Sequence, residues 1–408
     1  MDTMKCCLLL VLLYAIPVMA KTTVFHTNCT GPPSGSRFNF VTAPNKRGTL
    51  EILWSCLLTW QVQHLNVPPQ GMSRGVEFWR KLSSMLKTLL VPEALVAVAF
   101  ADFTAARRSV MRMQKQFPGL GGWTMTHAFY ANMGGFILKT RDDIAIPLVV
   151  DSERMITYLQ SLPSPTVLTT ERDIQRKAKG DIFLKCLAAM QVIWFVVQVI
   201  AREVEKLPIS QLEIAVLAFA MCTLVIYALW AEKPQDVSEP IVLDALSAPT
   251  LLQAAWVDDR SASDRLDDYN FDSAEIKVPA LGVGIESGFL GLSLGGTVFG
   301  AIHLLAWNLS FPTHLEKTLW RISSITSTTI PFVMLLFFVN GEWFKYPVDL
   351  PSINKEINGT ILGTIVGTII SLYIICRLYI LVEIFRSLGF LSAGTFVTTW
   401  STYIPHIT

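Results

Sequence analysis

Two long apolar runs, residues 182–201 and 211–231, are separated only by the short polar link 202–210. Each run is about 20 residues long, the length a helix needs to cross ~30 Å of hydrocarbon. So short a link makes them antiparallel neighbours in one bilayer. The first run carries Gln191, Trp194, Gln198 and Arg202 at helical spacing, which gathers them into one polar-aromatic stripe. The second opens with Glu213 and brings Tyr227 back near the same face before Trp230 and Pro234. Polar groups in a membrane helix face protein rather than lipid, so this hairpin has an inside.

Composition supports a membrane chain: of 408 residues, 51% are hydrophobic and only 16% charged, against about 25% charged in soluble domains. The net charge of +1 excludes a strongly basic nucleic-acid binder. Seven cysteines include no CxxC pair, so no metal pattern is present. Cys186, Cys222 and Cys376 fall in apolar stretches and read as core thiols, and a Cys29–Cys56 disulfide is one option the positions leave open.

Residues 1–20 read as a secretory signal peptide, with Lys5, the apolar run 6–16 and small residues at Val18-Met19-Ala20; an uncleaved anchor helix is the alternative. Residues 21–49 form a polar luminal segment with the sequon Asn28-Cys29-Thr30. A first span is expected at 50–67, interrupted by Glu51, Gln61, Gln63 and His64 and ended by Pro68-Pro69. A second is expected at 85–106, broken near its start by Pro92 and carrying Glu93 and Asp102. Residues 107–180 read as a long connecting loop, in which the Gly-flanked aromatic cluster Trp123, His127, Phe129 and Tyr130 suggests an interfacial or re-entrant piece.

After the hairpin (181–234) comes an acidic loop, 235–280, and then three more spans within 281–386, at 281–307, 322–339 and 362–385. The fifth span is rich in small residues, which let helices approach closely, and Pro331 is expected to kink the sixth. The tail, 387–408, reads as interfacial. The expectation is therefore an all-α, polytopic membrane helix bundle of about seven spans after a signal peptide. It has a luminal N-terminus, a cytosolic C-terminus and a place in the endoplasmic reticulum or secretory pathway. Cytosolic loops would then hold Arg74, Arg80, Lys81, Arg202, Lys206, Lys317 and Arg321, as the positive-inside rule asks. Asn28 and Asn358 become the glycosylation sites, and Asn308 is assigned to the cytosolic side.

No Walker A, Gly-x-Gly-x-x-Gly or His-Glu-x-x-His signature of a soluble enzyme is present. Six histidines show no ligand spacing, and no metal or cofactor is expected. Asp267-Asp268-Tyr269-Asn270-Phe271-Asp272 faintly resembles a magnesium-diphosphate motif, but it lies in a loop that reads as solvated. The stronger signal is ionisable groups inside apolar runs: Glu93, Asp102, Glu213, Arg377 and Glu383. Each costs about 2.5–3.5 kcal/mol at mid-bilayer unless paired. Hydrocarbon favours the neutral acid form of a carboxyl group, which fits it to donate a proton. Glu93, Glu213 and Glu383 are thus candidate catalytic acids, with Arg377 as charge partner, served by Glu93 or Glu213. Snorkelling to the headgroups is the structural alternative for Glu213 and Asp102. Trp194, Gln198, Tyr227 and Tyr379 are candidates for substrate contact, since aromatic faces stabilise cations.

Several short blocks carry a resemblance: Trp54-Ser55-Cys56, His64-Leu65-Asn66-Val67-Pro68, Pro92-Glu93, Trp194-Phe195 with Gln198 and Ala201-Arg202, Lys233-Pro234, and Arg377-Leu378-Tyr379 with Glu383. In these the chain resembles a group of fungal multi-span proteins related to the membrane-bound cyclases of meroterpenoid pathways, of the ascofuranone and macrophorin type. The resemblance implies a reaction in which an acid opens a terminal epoxide or protonates an olefin of a lipophilic prenylated substrate. A transporter or membrane sensor is the alternative that the same intramembrane charges permit, although the two halves show no inverted repeat.

Overall fold

The computed structural model describes residues 91–139, 148–162, 169–178, 182–235, 240–244, 284–339 and 355–399. It also describes the short strands 24–25, 37–38 and 40–41 and positions 75, 79 and 237. Of the described residues 77% are helical, in nine helices. In chain order these are α1 (Pro92–Gln116), α2 (Met125–Asn132), α3 (Ser152–Ser161), α4 (Glu171–Lys177), α5 (Ile182–Val204), α6 (Gln211–Leu229), α7 (Gly284–His303), α8 (His314–Val339) and α9 (Lys355–Ser387). The strands are β1 (Val24–Phe25), β2 (Arg37–Phe38), β3 (Phe40–Val41), β4 (Phe136–Lys139), β5 (Leu148–Val149), β6 (Ile241–Asp244) and β7 (Leu391–Ser392). The chain divides into two compact units. The first holds Met1–Gln61, Ala188–Leu224 and Leu292–Thr408, and the second holds Val62–Leu187 and Val225–Gly291.

In the second unit, α1 opens on Pro92. Proline suits the first helical position, where no N–H partner is needed and φ is already helical. Pro92 thus starts this helix, and the expected beginning of the span at Met85 lies outside the described residues. The helix then runs on through Arg107, Arg108 and Arg112 to Gln116, so the expected boundary at 106 is not a helix end. Its buried residues Val96, Ala99, Ala106, Ser109 and Met113 lie along a side of the helix, and α1 packs against α2 and α3. Trp123 Nε1 donates to Ser109 Oγ at 3.2 Å, fixing the turn that leads into α2.

Residues 107–180 are not simply a connecting loop. The last part of α1, the helices α2, α3 and α4, and the strands β4 and β5 lie there. Strand β4 is the centre of a mixed sheet, antiparallel to β5 with Ile137 opposite Val149, and parallel to β6 with Phe136 opposite Ile241. Phe136, Ile137 and Leu138 are all buried, so β4 is covered on both faces. The Gly-flanked aromatics form a packed core here. Tyr130 meets Phe136 edge-on at 5.0 Å, and Trp123 lies 5.6 Å from the His127 ring. The chain is mostly helical, but the all-α expectation is corrected by this sheet. Its strands of two and four residues are too short to print a period on the sequence.

In the first unit, α5 ends in a turn where Lys206 takes a left-handed φ of 55°, and α6 follows. Helices α7 and α8 form a hairpin through the 3-10 turn Leu304–Asn308, and α8 packs along α9. A core gathers Phe195, Val199, Leu212, Val216, Phe311, Trp320, Ile380, Ile384, Leu388, Leu391 and Phe396. Leu388, Leu391 and Phe396 come from the segment expected to be interfacial; it is part of the core, and its β7 pairs antiparallel with β2, Arg37 opposite Ser392.

Among the described residues four helical stretches are long and apolar enough to cross a membrane: Gln211–Leu229, Ser287–Asn308, His314–Phe337 and Val366–Phe390. They coincide with four of the seven expected spans. Exposed Ile322, Ile325, Phe332, Leu336, Ile369, Ile370 and Ile375 give α8 and α9 apolar outer faces, as lipid contact requires. Residues 182–201 form α5 as expected, while 50–67, the signal peptide, Asn28 and most of the acidic loop lie outside the described residues. Helix α9 starts at Lys355, ahead of the expected Leu362, so the backbone of Asn358 belongs to its first turn. Cys222 and Cys376 are buried, but Cys186 is exposed on α5 and is not a core thiol.

Candidate functional site

Three sets of polar groups among the described residues of the first unit bear on function. At the α5–α6 turn, Arg202 is 3% exposed and Glu213 1%. Glu213 accepts from Ser210 N and Ser210 Oγ, each at 2.8 Å, and its own N–H donates to Ser210 Oγ at 3.2 Å. This reciprocal box satisfies two donors at the start of α6. The other Glu213 oxygen lies 3.9 Å from Arg202 Nε. The Arg202 guanidinium also donates to the carbonyls of Pro208 (2.8 Å), Val397 (2.9 Å), Thr395 (3.0 Å) and Gly394 (3.2 Å). Glu213 is therefore committed to capping and to Arg202, and its geometry is structural.

A second set joins α8 and α9. Glu316 caps α8 by a box with Thr313, whose N–H donates to Glu316 Oε2 at 3.1 Å, and Glu316 pairs with Arg386. Tyr379 donates its hydroxyl to the Glu316 carbonyl at 3.1 Å. Glu383, one turn before Arg386, is 1% exposed, and its Oε1 has no hydrogen-bond partner among the described residues. Glu316 and Arg386 both act on it electrostatically. Of the three expected acids, Glu383 is the one with a carboxyl oxygen left open.

The third set lies between α7 and α8. These helices touch so closely at Gly300 that a Cβ there would stand 2.7 Å from the backbone of Ser327 and Thr328. One turn earlier, a Cβ on Gly296 would stand 2.9 Å from the Pro331 ring. Gly296 opposite Pro331 and Gly300 opposite Ser327 set one antiparallel register, which carries His303 opposite Ser324. His303 Nδ1 lies 2.7 Å from the Phe299 carbonyl, which can only accept, so Nδ1 carries the proton and the neutral ring presents a lone pair at Nε2. Trp320 Nε1 donates to the His303 carbonyl at 3.2 Å. Around these groups the rings of Phe219, Phe299, His303, Trp320 and Phe311 follow one another at centroid distances of 4.6–5.9 Å. The Arg377 guanidinium lies over Phe299 at 3.8 Å, a cation–π contact.

The sequence candidates are thus dispersed. Trp194 and Gln198 are half-buried on α5, and the buried line of that helix is Val192, Phe195, Val199 and Arg202. Tyr379 is engaged with Glu316, and Arg377 with the Phe299 ring. Glu93 and Tyr227 belong to the second unit. There Glu93 is buried in the first turn of α1. Asp102, expected near a helix end, sits in mid-helix and pairs with buried Lys233 at 2.7 Å; Lys233 also lies 4.2 Å above the Trp230 ring.

His127 of the second unit is satisfied on both nitrogens: Nδ1 faces Thr124 N and Oγ1 at 3.3 and 2.9 Å, and Nε2 faces the Thr169 carbonyl at 3.1 Å. Burial holds its pKa below 6.5, against the Thr169 contact and the Glu171 charge, which favour the cation. Among the described residues no three His, Cys, Asp or Glu side chains gather into a metal site, and Asp267 and Asp268 lie outside those residues.

His303, Ser324 and Ser327 were missed by sequence reasoning, which judged histidines by ligand spacing alone. The available signal was a histidine at the end of one apolar run and the serine-threonine cluster of residues 323–329 inside the next.

No curated protein and no solved structure matches the chain. Residues 19–269 and 288–407 match the model of a family described as a family of unknown function (DUF8562). With nearly the whole length covered, the chain belongs to that family.

Proposed function

We propose that this protein is an integral membrane enzyme of the endoplasmic reticulum or secretory pathway that cyclises a lipophilic prenylated substrate by protonating an epoxide or olefin. The observation that carries this reading is Glu383: a buried carboxyl group on an apolar helix with Oε1 facing no donor among the described residues. Its neighbour Arg386 is already paired with Glu316. A carboxyl group so placed is available to donate a proton, and the bundle around it keeps bulk water from the cation that follows. The resemblance of the Arg377-Leu378-Tyr379 block with Glu383 to membrane-bound meroterpenoid cyclases supports the same chemistry. The Phe299 ring, already under Arg377, and the aromatic series beyond it offer faces suited to positive charge.

The test uses microsomes carrying the full chain, incubated with epoxidised prenyl-phenols, with products resolved by mass spectrometry. Wild type is expected to yield cyclised isomers of unchanged mass. Glu383→Gln should lose about 10²–10⁴-fold in turnover, the contribution of a general acid, while inserting normally. Solute uptake without cyclised product would instead make the chain a transporter. Full activity of Glu383→Gln, or loss of activity in EDTA that magnesium restores, would overturn the acid assignment.

A further inference from the structure

Three buried polar atoms on α7 and α8 have no hydrogen-bond partner among the described residues: His303 Nε2, Ser324 Oγ and Ser327 Oγ. His303 and Ser324 are fully buried, and Ser327 is 1% exposed. A serine or threonine in a helix ordinarily satisfies its hydroxyl on the carbonyl one turn back. Neighbouring threonines do so: Thr328 donates to Ser324 O at 2.8 Å, Thr297 to Ser293 O at 2.7 Å, and Thr318 to His314 O at 3.0 Å. Ser324 and Ser327 do not, although the same device is open to them. The register sets the Ser327 backbone against Gly300 and carries Ser324 opposite His303, so the three residues follow one another along the α7–α8 contact. The Phe299 carbonyl fixes the imidazole so that Nε2 presents an acceptor. Leaving such groups unsatisfied in a low-dielectric interior is costly, and an ionisable residue such as His303 within a membrane helix is by default a functional-site candidate.

We propose that His303, Ser324 and Ser327 bind the hydroxyl group of an otherwise apolar molecule. A hydroxyl suits the set because it is both donor and acceptor: its O–H donates to His303 Nε2, and its oxygen accepts from Ser324 Oγ or Ser327 Oγ. A ketone or ether supplies no donor for Nε2, and a hydrocarbon supplies neither function. Arg377, stacked on Phe299 within electrostatic reach of His303, adds positive charge beside the oxygen. The site concerns binding alone and stands whether or not the chain turns a substrate over at Glu383.

The test is photocrosslinking of the full-length protein in lipid nanodiscs with a diazirine-bearing hexadecanol. Its O-methyl ether and a diazirine-bearing diacylglycerol with its own methyl ether are run in parallel. The free alcohol is expected to label peptides of α7 or α8, and its methyl ether to label them roughly five- to tenfold less, the loss set by the missing donor. Ser324→Ala with Ser327→Ala should weaken labelling by a similar factor, and His303→Asn more so. Because removal of a hydroxyl that has no partner does not weaken the fold, the double alanine variant should melt at or above the wild-type temperature. That outcome separates lost binding from lost structure should His303→Asn fail to fold. Labelling by the alcohol assigns the site to a free lipophilic alcohol, and labelling by the diacylglycerol alone assigns it to a bilayer lipid. Equal labelling by alcohol and ether, labelling confined to other helices, or labelling unchanged in the double alanine variant would overturn the proposal.

Discussion

Arg202 Nε stands 3.9 Å from Glu213 Oε1 across the turn between α5 and α6, with both side chains almost wholly buried. The remaining guanidinium N–H groups reach carbonyls at Pro208, Gly394, Thr395 and Val397. One arginine therefore ties the turn to the segment that follows α9. Arg202→Ala should cost about 3–5 kcal/mol, the penalty for stranding a buried charge, together with the orphaned carbonyls. Arg202→Lys should recover little of it, because an ammonium cannot reach carbonyls on both sides at once. Thermal unfolding of the purified protein in detergent, followed by size-exclusion fluorescence, measures both.

Glu316 and Arg386 offer a contrast between two ways of losing one ion pair. Glu316→Gln keeps a side chain able to complete the box with Thr313, so it removes only the charge pairing. Arg386→Met leaves Glu316 buried and charged with its partner gone, and should destabilise more, by about 3–5 kcal/mol. Equal melting temperatures in the two variants would mean that Glu316 is held by its cap alone.

Gly300→Ala inserts a methyl group where the Ser327 backbone stands 2.7 Å away. Backbone cannot rotate aside as a side chain does, so α7 and α8 must separate. The expected cost is about 1–3 kcal/mol, in the range of overpacked cores. Gly288→Ala, with open space around it, is the control and should be neutral or slightly stabilising. Paired melting curves of the two variants decide the matter.

The imidazole of His127 gives the second unit a pH dependence. Burial lowers its folded pKa below 6.5, whereas the unfolded chain takes up its proton near that value. Below about pH 6.5 the unfolded state therefore binds more protons, and stability falls as pH falls until the folded imidazole is protonated too. The slope approaches about 1.4 kcal/mol per pH unit for one proton. His127→Gln should flatten the acid limb between pH 7 and 5 while lowering stability at pH 7. Amide exchange of Met125–Asn132 across that range checks it, and identical slopes would exclude His127 as the source.

The apolar helices of the first unit were legible because runs of about twenty predominantly apolar residues admit few other readings. Ser210-x-x-Glu213 and Thr313-x-x-Glu316 were equally legible as capping boxes before apolar runs. Glu213 was instead read as a membrane carboxylate, since hydropathy does not distinguish a helix interior from its first turn. Pro92 was read as a break for the same reason. The α7–α8 register could not be read, because it depends on which glycine meets which backbone across two helices, and a glycine-rich stripe offers several choices. The sheet was hidden for another reason: β4 and β6 pair across about one hundred residues, and neither is long enough to alternate.

Strand pairing also constrains how often the chain changes sides of a bilayer. Two hydrogen-bonded strands cannot straddle ~30 Å of hydrocarbon, so any two paired strands are separated by an even number of crossings. Strand β4 pairs with β6, and α5 and α6 lie between them. If α6 crosses, as its length and apolarity allow, α5 crosses with it. Strand β2 pairs with β7, and every crossing read from the sequence lies between those two. An odd number of crossings between them would put Arg37 and Ser392 on opposite sides, so their pairing asks for an even number. Cysteines introduced at Ser34 and Thr398 should therefore react with a membrane-impermeant thiol reagent from one and the same side. Reaction from opposite sides would restore the odd count and exclude the β2–β7 pair.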